Sequence, residues 1–147
     1  MLLPTMTRYL VLLRGINVGG KNKVPMAPLR ELLEAHGHTK VSTYIASGNV
    51  ILSSDQSVAA IKRELEDALP KTFKLDSELV AVLVLTRAQL RAVVRDRPKG
   101  FGDKPDIYNS DAVFLMGIDA STAMKVFDPR PGASANQAWT RRSARTR

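Results

Sequence analysis

Cysteine is absent from the 147 residues. That excludes disulfide frameworks, thiolate metal sites and thiol nucleophiles, and it agrees with a reducing compartment. Aromatic residues are scarce at 5%, so a base-stacking surface has few rings to draw on. No apolar run approaches the roughly 18 residues that signal a spanning helix. Met1-Leu2-Leu3-Pro4 is too short for a secretory core and lacks a basic leading segment. These absences predict a cytoplasmic protein with no membrane partner. Histidine is nearly absent too: only His36 and His38 are available as imidazoles.

What is present suits one compact domain, or two small subdomains sharing a core. Hydrophobic residues make up 44% and charged residues 24%, ordinary values for a globular chain. The net charge of +8 is unevenly placed. Residues 1–127 carry 17 Lys and Arg against 13 Asp and Glu, whereas residues 128–147 carry five Arg against one Asp. Half of the excess therefore lies in the last 20 residues. The high isoelectric point says little about the body of the protein.

Along the chain, Arg8–Leu13 is a compact apolar run and reads as a buried strand. Pro25 opens a helix carrying Leu29, Leu32, Leu33 and His36 on one face, and Gly37 stops it. Val41–Ile45 and Val50–Leu52 read as a hairpin about Ser47-Gly48-Asn49. Ser54 or Asp55 caps a second helix with Val58, Ile61, Leu65 and Leu69 on its inner face, ended by Pro70. Leu79–Leu85 is apolar at every position and reads as a central strand. The order β-α-β-β-α-β predicts an α+β, ferredoxin-like fold over residues 7–85, with an antiparallel sheet and both helices on one face. Beyond it, Thr86 caps a third helix with Leu90, Val93 and Val94 inward, and Asp96–Asn109 is a loop. Ala112–Met116 reads as a fifth strand, and Ala120–Phe127 as a short helix or turn. Residues 128–147, with an isolated Trp139, read as a basic disordered tail.

Leu12-Leu13-Arg14-Gly15-Ile16-Asn17-Val18-Gly19-Gly20-Lys21-Asn22-Lys23 and Thr43-Tyr44-Ile45-Ala46-Ser47-Gly48-Asn49-Val50 carry a resemblance. Over about residues 8–127 the chain resembles a bacterial family of unknown function, domain of unknown function 1697. Phe101-Gly102 before Ala112–Met116 is similar to that family as well. The resemblance implies a ferredoxin-like α+β fold, often with a second related half, and no established activity. Here residues 86–127 read as an incomplete second α/β half. Residues 128–147 do not resemble the late Arg-Asn segment of the family, which leaves three endings open: a short native one, a truncated one and a frame-altered one. An incomplete second half would leave the fifth strand with an exposed edge.

The first motif is also the leading candidate site. Gly15 to Lys21 spells G-x-x-x-x-G-K, followed by Asn22 in place of Ser or Thr. A nucleotide-hydrolysing P-loop is disfavoured by Asn22, by the late helix start at Pro25 and by the non-parallel topology. A looser anion site is the main functional reading: Arg14 and Lys21 for charge, the Gly19 and Gly20 amides, and Asn17. Ser47 and Asn49 would join it, because antiparallel neighbours bring the end of strand one beside the start of strand three. The plain alternative is a structured loop in which Asn17 and Asn22 cap turns. His36-Gly37-His38 diverge about a helix end, so no metal is expected there, and Asp103 and Asp106 read as loop charge. No cofactor signature is seen, and no acid–base pair marks an enzyme. The expected partner is a small anion such as a phosphate or nucleotide. Weak nucleic-acid binding through the tail, or through Tyr9 and Tyr44 on an open sheet face, is the rival. Protein interaction through an exposed strand edge is the third reading.

Overall fold

The computed structural model describes residues 3–76 and 80–126. Contacts divide the chain into two units, Met1–Leu90 and Arg91–Arg147. The first unit runs β1 (Thr7–Arg14), α1 (Met26–Ala35), β2 (Thr39–Tyr44), β3 (Asn49–Ser54), α2 (Val58–Thr72) and β4 (Ala81–Thr86). The four strands form one sheet in the order β2-β3-β1-β4, and every neighbouring pair is antiparallel.

Alternation along β1 decides which way the sheet faces. Tyr9, Val11 and Leu13 are buried, whereas Leu10 and Leu12 between them are only half-buried. The same alternation continues through Val50 and Leu52 of β3 and Val82 and Val84 of β4. Leu29 and Leu33 of α1 and Ile61, Leu65 and Leu69 of α2 join these residues in a single core. Both helices therefore pack on one face of the sheet. Each fully buried Leu or Ile contributes about 1.5–3 kcal/mol relative to exposure, so this layer is the main source of stability. Arg30 of α1 adds a hydrogen bond to the Thr43 hydroxyl of β2 at 2.8 Å.

Local chemistry accounts for the helix ends. Gly37, at φ 88°, takes the left-handed position after α1, and its amide donates to the Glu34 carbonyl. Ser57 caps α2, its hydroxyl accepting from the Ala60 amide at 3.2 Å. The expected caps, Ser54 and Asp55, lie earlier: Ser54 is buried at the end of β3 and its hydroxyl accepts from the Gln56 amide. Pro70 does not end α2, which continues to Thr72. Proline has no amide to give the helix, but the bond after it persists: the Phe73 amide still reaches the Leu69 carbonyl at 2.9 Å.

Two strand expectations are corrected. β4 is an edge strand, not a central one; the central strands are β1 and β3. Its apolar residues are half-buried at Leu83 and Leu85 and buried at Val82 and Val84, so a continuous apolar run did not require neighbours on both sides. Residues 112–116 form no strand, and Val113 is 72% exposed. A strand needs a partner for its backbone groups, and among the described residues none pairs with this segment.

α3 (Arg87–Arg95) follows β4 directly. Thr86 caps it in a capping box: its hydroxyl accepts from the Gln89 amide, and the Gln89 side chain accepts from the Thr86 amide at 2.8 Å. Leu90 and Val93 are half-buried, but Val94 is 56% exposed, contrary to its expected inward placement. In the second unit, Tyr108 donates its hydroxyl to the Gly100 carbonyl, and the Gly102 amide donates to Ser110. Phe101 is half-buried in this loop, and Asp103 and Asp106 are exposed. α4 (Ala120–Val126) starts at Asp119, whose carboxylate accepts from the Thr122 amide and the Ser121 hydroxyl. These bonds hold the Asp119 carboxyl below the usual carboxylate range, the Thr122 amide contributing most. The tail and Trp139 fall outside the described residues, as does Leu79.

Candidate functional site

β1 ends at Arg14, and α1 begins only at Met26. Between them the chain makes a compact, internally bonded loop. Asn17 and Asn22 organise it, both with positive φ, at 54° and 47°. The Asn17 amide group donates to the Val24 carbonyl at 2.9 Å and to the Ala46 carbonyl at 2.8 Å, while its oxygen accepts from the Val24 amide. Buried Asn22 donates its side-chain amide to the Gly15 carbonyl at 2.8 Å and exchanges two bonds with Asp76. Asparagine tolerates the left-handed region and mimics backbone groups, which is why it serves here.

Between the asparagines a small hairpin projects outward. Val18 and Lys21 are bridged, and the Lys21 amide donates to the Val18 carbonyl at 3.0 Å. Gly19 and Gly20 sit at φ 58° and 77°, the pattern of a type I′ turn. Arg14, Lys21 and Lys23 are all exposed. None of them lies within salt-bridge distance of a carboxylate among the described residues.

The second motif lies against the first. Leu12 pairs with Asn49, so the end of β1 and the start of β3 meet at one end of the sheet. The Leu13 amide donates to the Gly48 carbonyl at 3.0 Å. Gly48 is at φ 82°, and a Cβ there would stand 2.7 Å from Ile16 Cδ1 and 2.8 Å from Leu13 Cβ. Only glycine meets both requirements. Asn49 donates to the Ser47 hydroxyl at 2.8 Å and to the Tyr44 carbonyl at 3.3 Å.

Of the residues singled out in the sequence, Arg14, Gly19, Gly20, Lys21 and Ser47 are exposed at this end of the first unit, with Asn49 half-buried beside them. The Asn17 side chain belongs to the scaffold, since its donors and its acceptor are engaged internally. The P-loop arrangement is not formed: α1 starts five residues after Lys21 and the sheet is antiparallel.

Three features had no sequence signal. Asp76 locks the loop from 54 positions away. Ile45 adopts φ 51°, a conformation that costs a β-branched residue about 1–3 kcal/mol. Tyr44 and Ile45 are 71% and 62% exposed, and Val18 in the facing loop is 68% exposed. Tyr9, by contrast, is buried on the core face, its hydroxyl donating to the Gln56 carbonyl at 2.9 Å.

The histidines serve different partners. His36 Nδ1 lies 2.8 Å from the Leu32 carbonyl at the end of α1. His38 is buried, with Nε2 2.6 Å from Glu64 Oε1. A carboxylate only accepts, so the proton sits on Nε2. Nδ1 is buried with no hydrogen-bond partner among the described residues. Glu64 also accepts from the Gln56 side chain at 3.0 Å. Among the described residues no group of three His, Asp or Glu is placed to hold a metal ion, and no helix is long and apolar enough to cross a membrane.

Comparison with known proteins agrees with the two motifs. The family model described as "Protein of unknown function (DUF1697)" matches residues 6–143. No curated protein matches the chain. Among solved structures, the chain is similar to the conserved bacterial protein SP0830 from Streptococcus pneumoniae, with 38% identity and a TM-score of 0.58. The match covers 67% of this chain and 53% of that one. The chain thus spans about half the length of that structure.

Proposed function

We propose that this chain, which belongs to the DUF1697 family, binds a small phosphate-bearing anion at the Arg14–Lys23 loop. One observation carries the reading. Three exposed cations, Arg14, Lys21 and Lys23, stand on or beside a loop locked by its own hydrogen bonds, and none is neutralised by a carboxylate among the described residues. A surface cation gains little from a single exposed pair. Several cations on a preorganised loop do better, because the ordering cost is met in folding, not in binding. The Gly19-Gly20 turn lets an anion approach the backbone closely, with no Cβ in the way.

The same reading takes the first unit as ferredoxin-like. The β1α1β2β3α2β4 order and the β2-β3-β1-β4 arrangement support it. It also takes the protein as cytoplasmic, where phosphate esters are abundant. The proposed role of the loop is binding.

Isothermal titration calorimetry with inorganic pyrophosphate tests the proposal. Saturable binding to the full chain, reduced at least tenfold in Arg14→Ala and Lys21→Ala with unchanged melting, supports it. Equal affinity in those variants, or no binding at all, overturns it. The rival, nucleic-acid binding through the basic tail, predicts instead that removing residues 128–147 abolishes oligonucleotide binding. Tyr9 gives that rival no help, since its ring is in the core.

A further inference from the structure

The sheet face away from α1 and α2 presents further polar and aromatic groups next to the proposed anion loop. Alternation places Leu10, Leu12 and Arg14 of β1 on the face away from the helices. Leu12 pairs with Asn49, and Asn49 pairs with Tyr44. Tyr44, Asn49 and Leu12 therefore form one row across three strands, and Arg14 begins the next position along the same face. With strands about 4.8 Å apart and a rise of about 3.4 Å per residue, the Tyr44 and Arg14 Cα atoms are separated by about 12 Å. A ligand of about that length would reach both side chains.

The chemistry changes along this path. Tyr44 is an exposed ring at one end, 71% accessible. Asn49 follows: its amide nitrogen is engaged with Ser47 and the Tyr44 carbonyl, and its oxygen has no partner among the described residues. Ser47 accepts from Asn49 and keeps its hydroxyl proton for another acceptor. Arg14 and the Lys21 hairpin supply positive charge at the far end. An aromatic face, then neutral donor and acceptor groups, then cations is the sequence of groups that a nucleotide requires: base, sugar, phosphate.

The backbone around Tyr44 is held in a costly shape. Ile45 keeps its left-handed φ because three bonds fix its surroundings: Asn49 to the Tyr44 carbonyl, Asn17 to the Ala46 carbonyl and Leu13 to the Gly48 carbonyl. The strained turn leaves Tyr44 and Ile45 outside the core, and the Asn17 bond ties that turn to the Gly19-Gly20 hairpin loop. An apolar tip on a locked, strained turn beside free cations has no evident role in the fold.

The geometry points to a nucleotide-shaped ligand: its base stacks on Tyr44, and its phosphates lie at Arg14 and Lys21. This rests on the anion reading and extends it to a ligand class. The same unit occurs as a free nucleotide and as a residue of a single strand, and the test separates the two.

The full chain is titrated calorimetrically with pyrophosphate, with each of the four ribonucleoside triphosphates and with a six-residue oligouridylate. The expected result is a triphosphate affinity at least tenfold above that of pyrophosphate. Tyr44→Ala should remove that increment and leave pyrophosphate binding intact, while Tyr44→Phe retains it. A thermal melt checks that Tyr44→Ala folds, as an exposed side chain should allow. Affinity rising from mononucleotide to oligonucleotide assigns the site to single strands; a mononucleotide that binds as well as the oligonucleotide assigns it to free nucleotides. Equal affinity for pyrophosphate and triphosphates, with Tyr44→Ala silent, overturns this inference and spares the anion site. No binding by any of them overturns both.

Discussion

Asn22 and Asp76 hold each other reciprocally across 54 positions of sequence. The Asn22 amide donates to Asp76 Oδ2, and the Asp76 amide donates to Asn22 Oδ1, each at 2.7 Å. The Asn22 side chain is also bonded to the Gly15 carbonyl, so one residue joins the glycine-rich loop to the chain that leaves α2. Asn22→Ala removes the two side-chain bonds, to the Gly15 carbonyl and from the Asp76 amide, and keeps the backbone bond to Asp76 Oδ2, a loss of about 1–3 kcal/mol. Asp76→Ala removes the carboxylate that accepts from the amide of buried Asn22 and should also cost about 1–3 kcal/mol. A double-mutant cycle in urea should give a coupling of about 0.5 kcal/mol or more. Strict additivity would mean that the two residues act independently.

Gly48 sets a second, steeper expectation. Alanine there meets both a left-handed φ and contacts at 2.7 Å and 2.8 Å with Ile16 and Leu13. Overpacking of this kind costs about 1–3 kcal/mol, and the backbone conformation adds about 1 kcal/mol. Gly19 and Gly20 have positive φ but open space around them, so alanine at either should cost only about 1 kcal/mol. Chemical denaturation of the three variants should rank Gly48→Ala far below the other two.

Relief of strain at Ile45 should stabilise the fold. The side chain is 62% exposed and loses little packing on replacement. Asparagine tolerates φ near 51°, so Ile45→Asn should raise unfolding free energy by about 1 kcal/mol. A lower midpoint would mean that Ile45 packs usefully in spite of its exposure.

The buried His38–Glu64 pair is expected to respond to loss of either member. Glu64 accepts from both His38 and Gln56. Glu64→Leu strands the buried Nε2 donor and should cost about 1–3 kcal/mol. His38→Leu removes the orphaned Nδ1 together with the ring and should cost less. Equal losses in thermal or urea unfolding would argue against this asymmetry.

Acid should act on the start of α4. The Asp119 carboxyl is held below its ordinary value by the Thr122 amide and then the Ser121 hydroxyl. A depressed folded value means that the cap is complete above the ordinary carboxylate range and is lost as pH falls through the folded value. Carboxyl NMR titration should place Asp119 below the ordinary value, with the Thr122 amide shift following the same curve. Asp96 should also titrate low, because the Arg95 guanidinium donates to it at 2.6 Å.

Periodicity made most of the first unit legible. The apolar run Arg8–Leu13 marked a buried strand, and the helical spacing of Leu29 with Leu33 and of Ile61 with Leu65 and Leu69 reports burial directly, because each helix faces one core. Gly37 and Thr86 were readable for the same local reason. The density of glycine, asparagine and cations in Arg14–Lys23 marked an unusual loop without revealing which asparagines build it.

The sequence by itself determined the element order of the first unit, the inward leucines of α1 and α2 and the helix stop at Gly37, since those follow from short-range sterics and spacing. Only the tertiary structure decided that β4 lies at an edge, that residues 112–116 stay unpaired and that Tyr9 faces the core while Tyr44 faces outward. It alone joined Asn22 to Asp76 and strained Ile45 beside the cationic hairpin. Strand neighbours and long-range hydrogen bonds depend on what the rest of the chain brings within 3 Å, and no local pattern encodes that.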